Sequence, residues 1–208
     1  MNKNYFRLMA PIVILLFATC DDSANELKNG DILFQSLNSS QCEVIRIATN
    51  SEYTHCGVIN IIDEGVFVLE GLQPVRRTPV KEWIDRGIDK HFVVKRLNDF
   101  DSKINAKNID RIITVGEKYL GKDYDFFFGW SDSLIYCSEL VWKVYREAWG
   151  IELCPLKKLS DFDLTHPVVR AMADERYGDN IPLDEPVAAP ADLFNSEMLY
   201  EVKDIRLP

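Results

Sequence analysis

Tyr136-Cys137-Ser138-Glu139-Leu140-Val141-Trp142-Lys143-Val144-Tyr145 sets a cysteine at the point where a helix starts. From there Leu140, Val141, Val144, Tyr145 and Ala148 recur at helical spacing, so one face of that helix is apolar and meant for a core. Gly150 is placed to stop it. A thiol on a first helical turn meets backbone N–H groups that have no intrahelical partner, and the positive end of the helix dipole. Both favour thiolate over thiol. The same N–H groups can hold the oxyanion that forms when a thiolate attacks a carbonyl. Such a nucleophile still needs a base, and Tyr53-Thr54-His55-Cys56-Gly57-Val58 offers an imidazole upstream.

The rest of the chain reads as one α+β domain over residues 29–208, without repeats or low-complexity linkers. Gly30-Asp31-Ile32-Leu33-Phe34 is a turn into a short strand. Ser40 and Glu43 have capping-box spacing ahead of a helix whose apolar face is Val44, Ile45 and Ala48. Val58 to Ile62 and Val66 to Leu69 form a hairpin around Asp63-Glu64-Gly65. Thr78-Pro79 opens a short helix through Trp83, and His91 to Leu97 is a further strand. Ile109, Ile112, Ile113, Gly116 and Leu120 mark an amphipathic helix, followed by an aromatic loop from Tyr124 to Trp130. Thr165-His166-Pro167 caps a helix to about Arg176, and Pro190-Ala191-Asp192-Leu193 is a turn before a closing strand from Met198 to Val202.

Residues 1–19 have the form of a targeting segment: Lys3 and Arg7, then an apolar run from Leu8 to Ala18. That run is shorter than the roughly 20 apolar residues a membrane-spanning helix needs. Phe17-Ala18-Thr19-Cys20 resembles a bacterial lipoprotein lipobox, with Phe17 and Thr19 at positions where other residues are more usual. The expectation is lipid attachment at Cys20, a tether over 20–28 and a place in the bacterial cell envelope, periplasmic or surface-exposed; plain secretion is the alternative. Losing residues 1–19 moves the formal charge from −9 to −11. A chain this acidic has no basic footprint for nucleic acid, so membrane association rests on the anchor.

Cys42, Cys56, Cys137 and Cys154 remain beyond Cys20. Four thiols in a domain of this size do not make a disulfide scaffold, and no Cys-x-x-Cys pair occurs. His55 and Cys56 are neighbours on a strand and point to opposite faces, which makes a shared metal difficult. No metal and no cofactor are expected. Cys42 and Cys56 can pair only if the first helix packs near the first strand; otherwise they are free buried thiols.

A catalytic imidazole needs a third group to fix its tautomer. A two-residue turn at Glu64-Gly65 would set Glu70 opposite Ile59, on the face of His55 but about 13 Å along the strand. Gln73 falls closer in that register, and the residues do not choose between the two. Phe126, Phe127, Phe128 and Trp130 either fill the core or line an apolar substrate groove; because they crowd the loop before Cys137, part of the loop is expected to line a groove. Tyr53, beside the histidine motif, is a further substrate-side candidate. Ser138 and Glu139 are read as serving the first helical turn.

Gly30-Asp31-Ile32, Thr54-His55-Cys56-Gly57, Leu69-Glu70-Gly71, Tyr136 to Val141 and Pro190-Ala191-Asp192-Leu193, in this order, resemble the YiiX-like hydrolases. These are circularly permuted members of the NlpC-type, papain-fold superfamily. The resemblance implies a small antiparallel sheet packed on helices that include the nucleophile helix. It implies Cys137 as nucleophile, His55 as general base and Glu70, rather than Gln73, as the orienting carboxylate. Tyr124, thirteen residues before Cys137, matches a tyrosine near the oxyanion site of related hydrolases. Unpermuted relatives carry His or Asn where this chain has Glu, and a carboxylate favours imidazolium more strongly than an amide does. The expected activity is hydrolysis of an amide or ester in a small or peptide substrate, lipid-like or derived from peptidoglycan. An acyltransferase on the same fold, or a non-catalytic binding lipoprotein, are the alternatives.

Overall fold

The computed structural model describes residues 27–104 and 108–207. Within them an antiparallel sheet of six strands has the order β10-β5-β1-β2-β3-β4. The strands are β1 (Ile32–Gln35), β2 (His55–Ile62), β3 (Gly65–Glu70), β4 (Arg76–Pro79), β5 (His91–Leu97) and β10 (Leu199–Arg206). Two short pairs lie outside it: β6 (Asp123–Tyr124) with β7 (Leu134–Ile135), and β8 (Lys157–Lys158) with β9 (Pro186–Val187). The helices are α1 (Ser40–Thr49), α2 (Val80–Asp85), α3 (Phe100–Lys103), α4 (Arg111–Glu117), α5 (Cys137–Trp149), α6 (Pro167–Tyr177) and α7 (Pro190–Phe194).

Strand periodicity divides the apolar residues between two layers. Ile32, Phe34, Cys56, Val58, Leu69 and Val93 face α5, where they meet Leu140, Val141, Val144 and Tyr145. Leu33, Ile59, Val68, Phe92 and Val94 face Trp83 of α2. The middle strands are therefore buried on both faces, which is why Ile32-Leu33-Phe34 and Val58-Ile59 read as unbroken apolar runs. Fully burying each such side chain contributes about 1.5–3 kcal/mol. The α5 face is the one its spacing predicts, and Gly150 ends it in the left-handed conformation with its N–H on Arg146 O.

Several boundaries differ from the sequence expectation. Ser39, not Ser40, caps α1, its hydroxyl accepting from the Cys42 N–H at 3.1 Å. A strand, β4, intervenes before α2 and pairs Arg76 with Glu70. The proline turn at residue 190 is the short helix α7, and the closing strand continues to Arg206 as the full partner of β5. Asp31, from the glycine–aspartate motif, is buried in a two-pronged ion pair with Arg96 (2.7 and 2.8 Å), tying the chain start to β5. Leu27, within the span expected to be a tether, packs against the second layer. The targeting segment and Cys20 lie outside the described residues.

Candidate active site

His55 is the first residue of β2 and Glu70 the last of β3. The observed register pairs Glu70 with Gly57, not with Ile59, because the turn is Asp63-Glu64 and Gly65 already pairs with Ile62. No bulge is involved; the turn falls one residue earlier, and that moves Glu70 two positions toward His55. Gly57 then matters for its missing side chain, since a Cβ there would sit 2.8 Å from Leu69 O and 3.3 Å from the Glu70 Cβ. Across that gap Glu70 Oε2 reaches His55 Nε2 at 2.6 Å.

The other carboxylate oxygen, Oε1, accepts from the Thr78 hydroxyl and from the Arg86 guanidinium. Burial pushes the Glu70 carboxyl upward, but His55, Thr78 and Arg86 outweigh it and hold it below its ordinary value of 4.5. Trp83 stacks on the imidazole with ring centres 6.0 Å apart. Burial opposes charge on His55 too, yet hydrogen bonds to Cys137 and Glu70 raise its pKa to about 10. With Nε2 on Glu70, Nδ1 is the nitrogen left for Cys137.

Cys137 opens α5 at the rim of the sheet, where the chain passes Gly71 so closely that a Cβ would lie 2.8 Å from Cys137 N and 2.9 Å from its Cα. The thiol is held well below its ordinary pKa of 9.0. The first cause is a hydrogen bond from the Cys56 thiol; burial opposes, and His55 and the Cys56 backbone N–H add to the stabilisation. Cys56 shifts the opposite way, since it is equally buried and lacks both the imidazole and the helix terminus. Cys137 is thus touched from both faces of β2, by His55 on one and Cys56 on the other. The four described cysteines are free, so Cys42 and Cys56 are not bridged. Glu139 turns from the thiol: its Oε2 accepts from Tyr136 N at 3.3 Å, and Lys143 pairs with it at 2.8 Å.

Tyr124 reaches the same place through β6, which pairs with β7 immediately before Cys137. Gln73 is not the residue that orients His55. Its amide binds Asp123 Oδ1 and Tyr124 N, each at 2.6 Å, and so fixes the strand that carries Tyr124. Tyr124 and Cys137 share the wall of an apolar cavity, partly open to solvent, between α1, α6 and the segment before α7. Val44, Ile45, Phe128, Val169, Met172 and Pro190 contribute to its apolar lining.

Of the aromatic loop only Tyr124 and Phe128 line this cavity. Phe126 packs edge-on against Tyr124 and is 49 % exposed; Trp130 packs on Trp142. Tyr53 stacks on Phe194 in the core. None of those three rings lines this cavity: the loop's path, not its composition, decides which of its aromatics face it, and Tyr53 lies apart from the loop. Thr78, Arg86, Trp83, Cys56, Gln41 and Arg176 are the neighbours that sequence reasoning missed. Cys56 is the neighbour of His55 on β2, and the others are brought in by tertiary packing from separate elements.

Residues 26–203 match the permuted papain-like amidase enzymes of the YaeF/YiiX, C92 family. The chain is 39 % identical over 191 residues to YiiX of Escherichia coli (strain K12), covering 92 % of this chain and 93 % of that protein. It superposes with a TM-score of 0.81 and 40 % identity on the crystal structure of the metalloprotein yiiX from Escherichia coli O157:H7, over 86 % of this chain and 97 % of that one. In this chain, among the described residues, no three His, Cys, Asp or Glu side chains are grouped to hold a metal ion. By the extent of the match and the identity to YiiX, the chain belongs to the permuted papain-like amidases, a family of cysteine-peptidase-like hydrolases.

Proposed function

We propose that this protein is an amidase acting through Cys137, His55 and Glu70 on substrates that carry an acyl chain or a comparable apolar group. The Cys137 thiolate attacks the carbonyl carbon, and the Cys137 N–H and Tyr124 hydroxyl hold the oxyanion. His55 then gives its proton to the leaving amine, and afterwards takes one from the water that releases the acyl-enzyme. Glu70 holds the imidazole in orientation throughout.

The observation that carries the substrate assignment is the apolar cavity with Cys137 in its wall. A buried methylene contributes about 0.8 kcal/mol, so kcat/KM on a series of N-acyl anilides should rise roughly fourfold per methylene until the cavity is filled. A flat series, with cleavage of murein peptides instead, would overturn the assignment in favour of a cell-wall substrate.

The lipobox-like stretch ending in Cys20 supports an envelope protein held by a lipid anchor. Among the described residues no helix is long and apolar enough to cross a membrane. Metabolic labelling with an alkyne fatty acid should mark the wild type and not Cys20→Ser. Label in neither would leave plain secretion, and equal label in both would leave another attachment site.

A further inference from the structure

A tyrosine serves an oxyanion only if its hydroxyl hydrogen points at it, and a phenol is free to rotate. Two side chains outside the expected site bear on that freedom here. Arg176, in the last turn of α6, donates from Nη2 to Gln41 Oε1 at 2.8 Å. Gln41, in the first turn of α1, donates from Nε2 to the Tyr124 hydroxyl oxygen at 3.0 Å. A guanidinium has five donors and no acceptor, so the Gln41 oxygen must face Arg176 and the amide NH₂ must face Tyr124. Arg176 is itself held over the Phe128 ring, 5.4 Å from its centre, and is the one cationic side chain on the cavity wall among the described residues.

We propose that Gln41 and Arg176 are positioning residues that fix the direction of the Tyr124 proton. With a lone pair of the Tyr124 oxygen taken by a donor, its hydrogen cannot turn toward Gln41 and is presented to the cavity shared with Cys137. The hydroxyl also stays protonated, since burial and the nearby Cys137 push it well above its ordinary value. This inference rests on the thiol-amidase reading, and it adds two residues to it that touch neither the thiol nor the imidazole.

The test uses octanal, which adds to a thiolate and forms a hemithioacetal whose oxygen occupies the oxyanion position whatever the natural substrate is. Gln41→Glu keeps the size and the pairing with Arg176, but offers Tyr124 an acceptor and draws its proton away. Octanal affinity, measured by protection of Cys137 from iodoacetamide, should fall tenfold or more in Gln41→Glu and comparably in Tyr124→Phe. In the Tyr124→Phe background, Gln41→Glu should change it by less than twofold, because no proton remains to be redirected. Arg176→Ala, which lets the amide turn over, should give an intermediate loss. An unchanged affinity in Gln41→Glu, or a loss that persists without the Tyr124 hydroxyl, overturns the relay and leaves the amidase reading intact. A wild type that takes up no octanal overturns both.

Discussion

Cys137→Ala is expected to reduce turnover by a factor on the order of 10⁴–10⁶, since groups acting as one unit lose nearly everything when the nucleophile goes. Two of the other thiols are held in the unreactive protonated form by their surroundings. Cys56 touches the same sulfur, but its pKa is pushed up by burial and by the neighbouring Cys137, so it stays a thiol. Burial also raises Cys154, to about 12. Iodoacetamide at neutral pH should therefore label Cys137 ahead of Cys42, Cys56 and Cys154, as peptide mapping after brief exposure would reveal. Fold loss is a separate matter, checked by the thermal transition of the alanine variant. The substitution removes one sulfur from the rim of the sheet and leaves the α5 core face intact, so the transition should remain cooperative. Equal labelling of all four thiols, or turnover surviving in the alanine variant, would remove Cys137 from the chemistry.

What the sequence made legible was whatever is periodic or local. The α5 face, its first-turn cysteine and its glycine stop are set by spacing within one segment, and β5 has the bounds its composition suggests. The His55–Glu70 contact was legible in kind but not in distance. It hangs on whether the hairpin turns at Asp63-Glu64 or at Glu64-Gly65, and both dipeptides suit a turn. One residue of turn placement moves the partner of Glu70 from Ile59 to Gly57, two positions along β2. The rings were less legible still. Four aromatics between Phe126 and Trp130 have the same composition whether they face a cavity, the core or water, and only the loop's path sends Phe128 inward. Thr78 and Arg86 could not be read at all, since β4 and the end of α2 meet Glu70 only once the sheet edge has formed. Gln41 and Arg176 stand 135 positions apart and are joined by the packing of α1 on α6.

Glu70→Gln isolates the part of the site that the sheet builds, and its effect follows from the partners of Glu70. Arg86 can only donate, so it should hold the new amide by its oxygen and turn the NH₂ toward His55 Nε2. A donor there forces Nε2 to accept, which leaves the imidazole proton on Nδ1, facing Cys137. That is the wrong tautomer for a base that must receive the thiol proton at Nδ1. A fall in kcat of about 10²–10⁴ is expected, the range for losing correct acid–base function. The pH dependence is a sharper readout. In the wild type the imidazolium is favoured up to about 10, so the alkaline limb of kcat/KM should lie near there. Without the carboxylate, burial acts with less opposition while Cys137 still favours the imidazolium, and the limb should move down. Stability carries the same signature. A raised His55 pKa stabilises the fold fully below 6.5, and that contribution fades as pH rises through about 10. A depressed Glu70 pKa stabilises it above 4.5, and that contribution fades as pH falls through the lowered value. The gap in Tm between wild type and Glu70→Gln should therefore be widest between about 4.5 and 6.5 and narrow on either side. An alkaline limb that stays in place would mean that His55 keeps its proton without Glu70, and that the carboxylate holds β3, β4 and α2 together rather than tuning the imidazole.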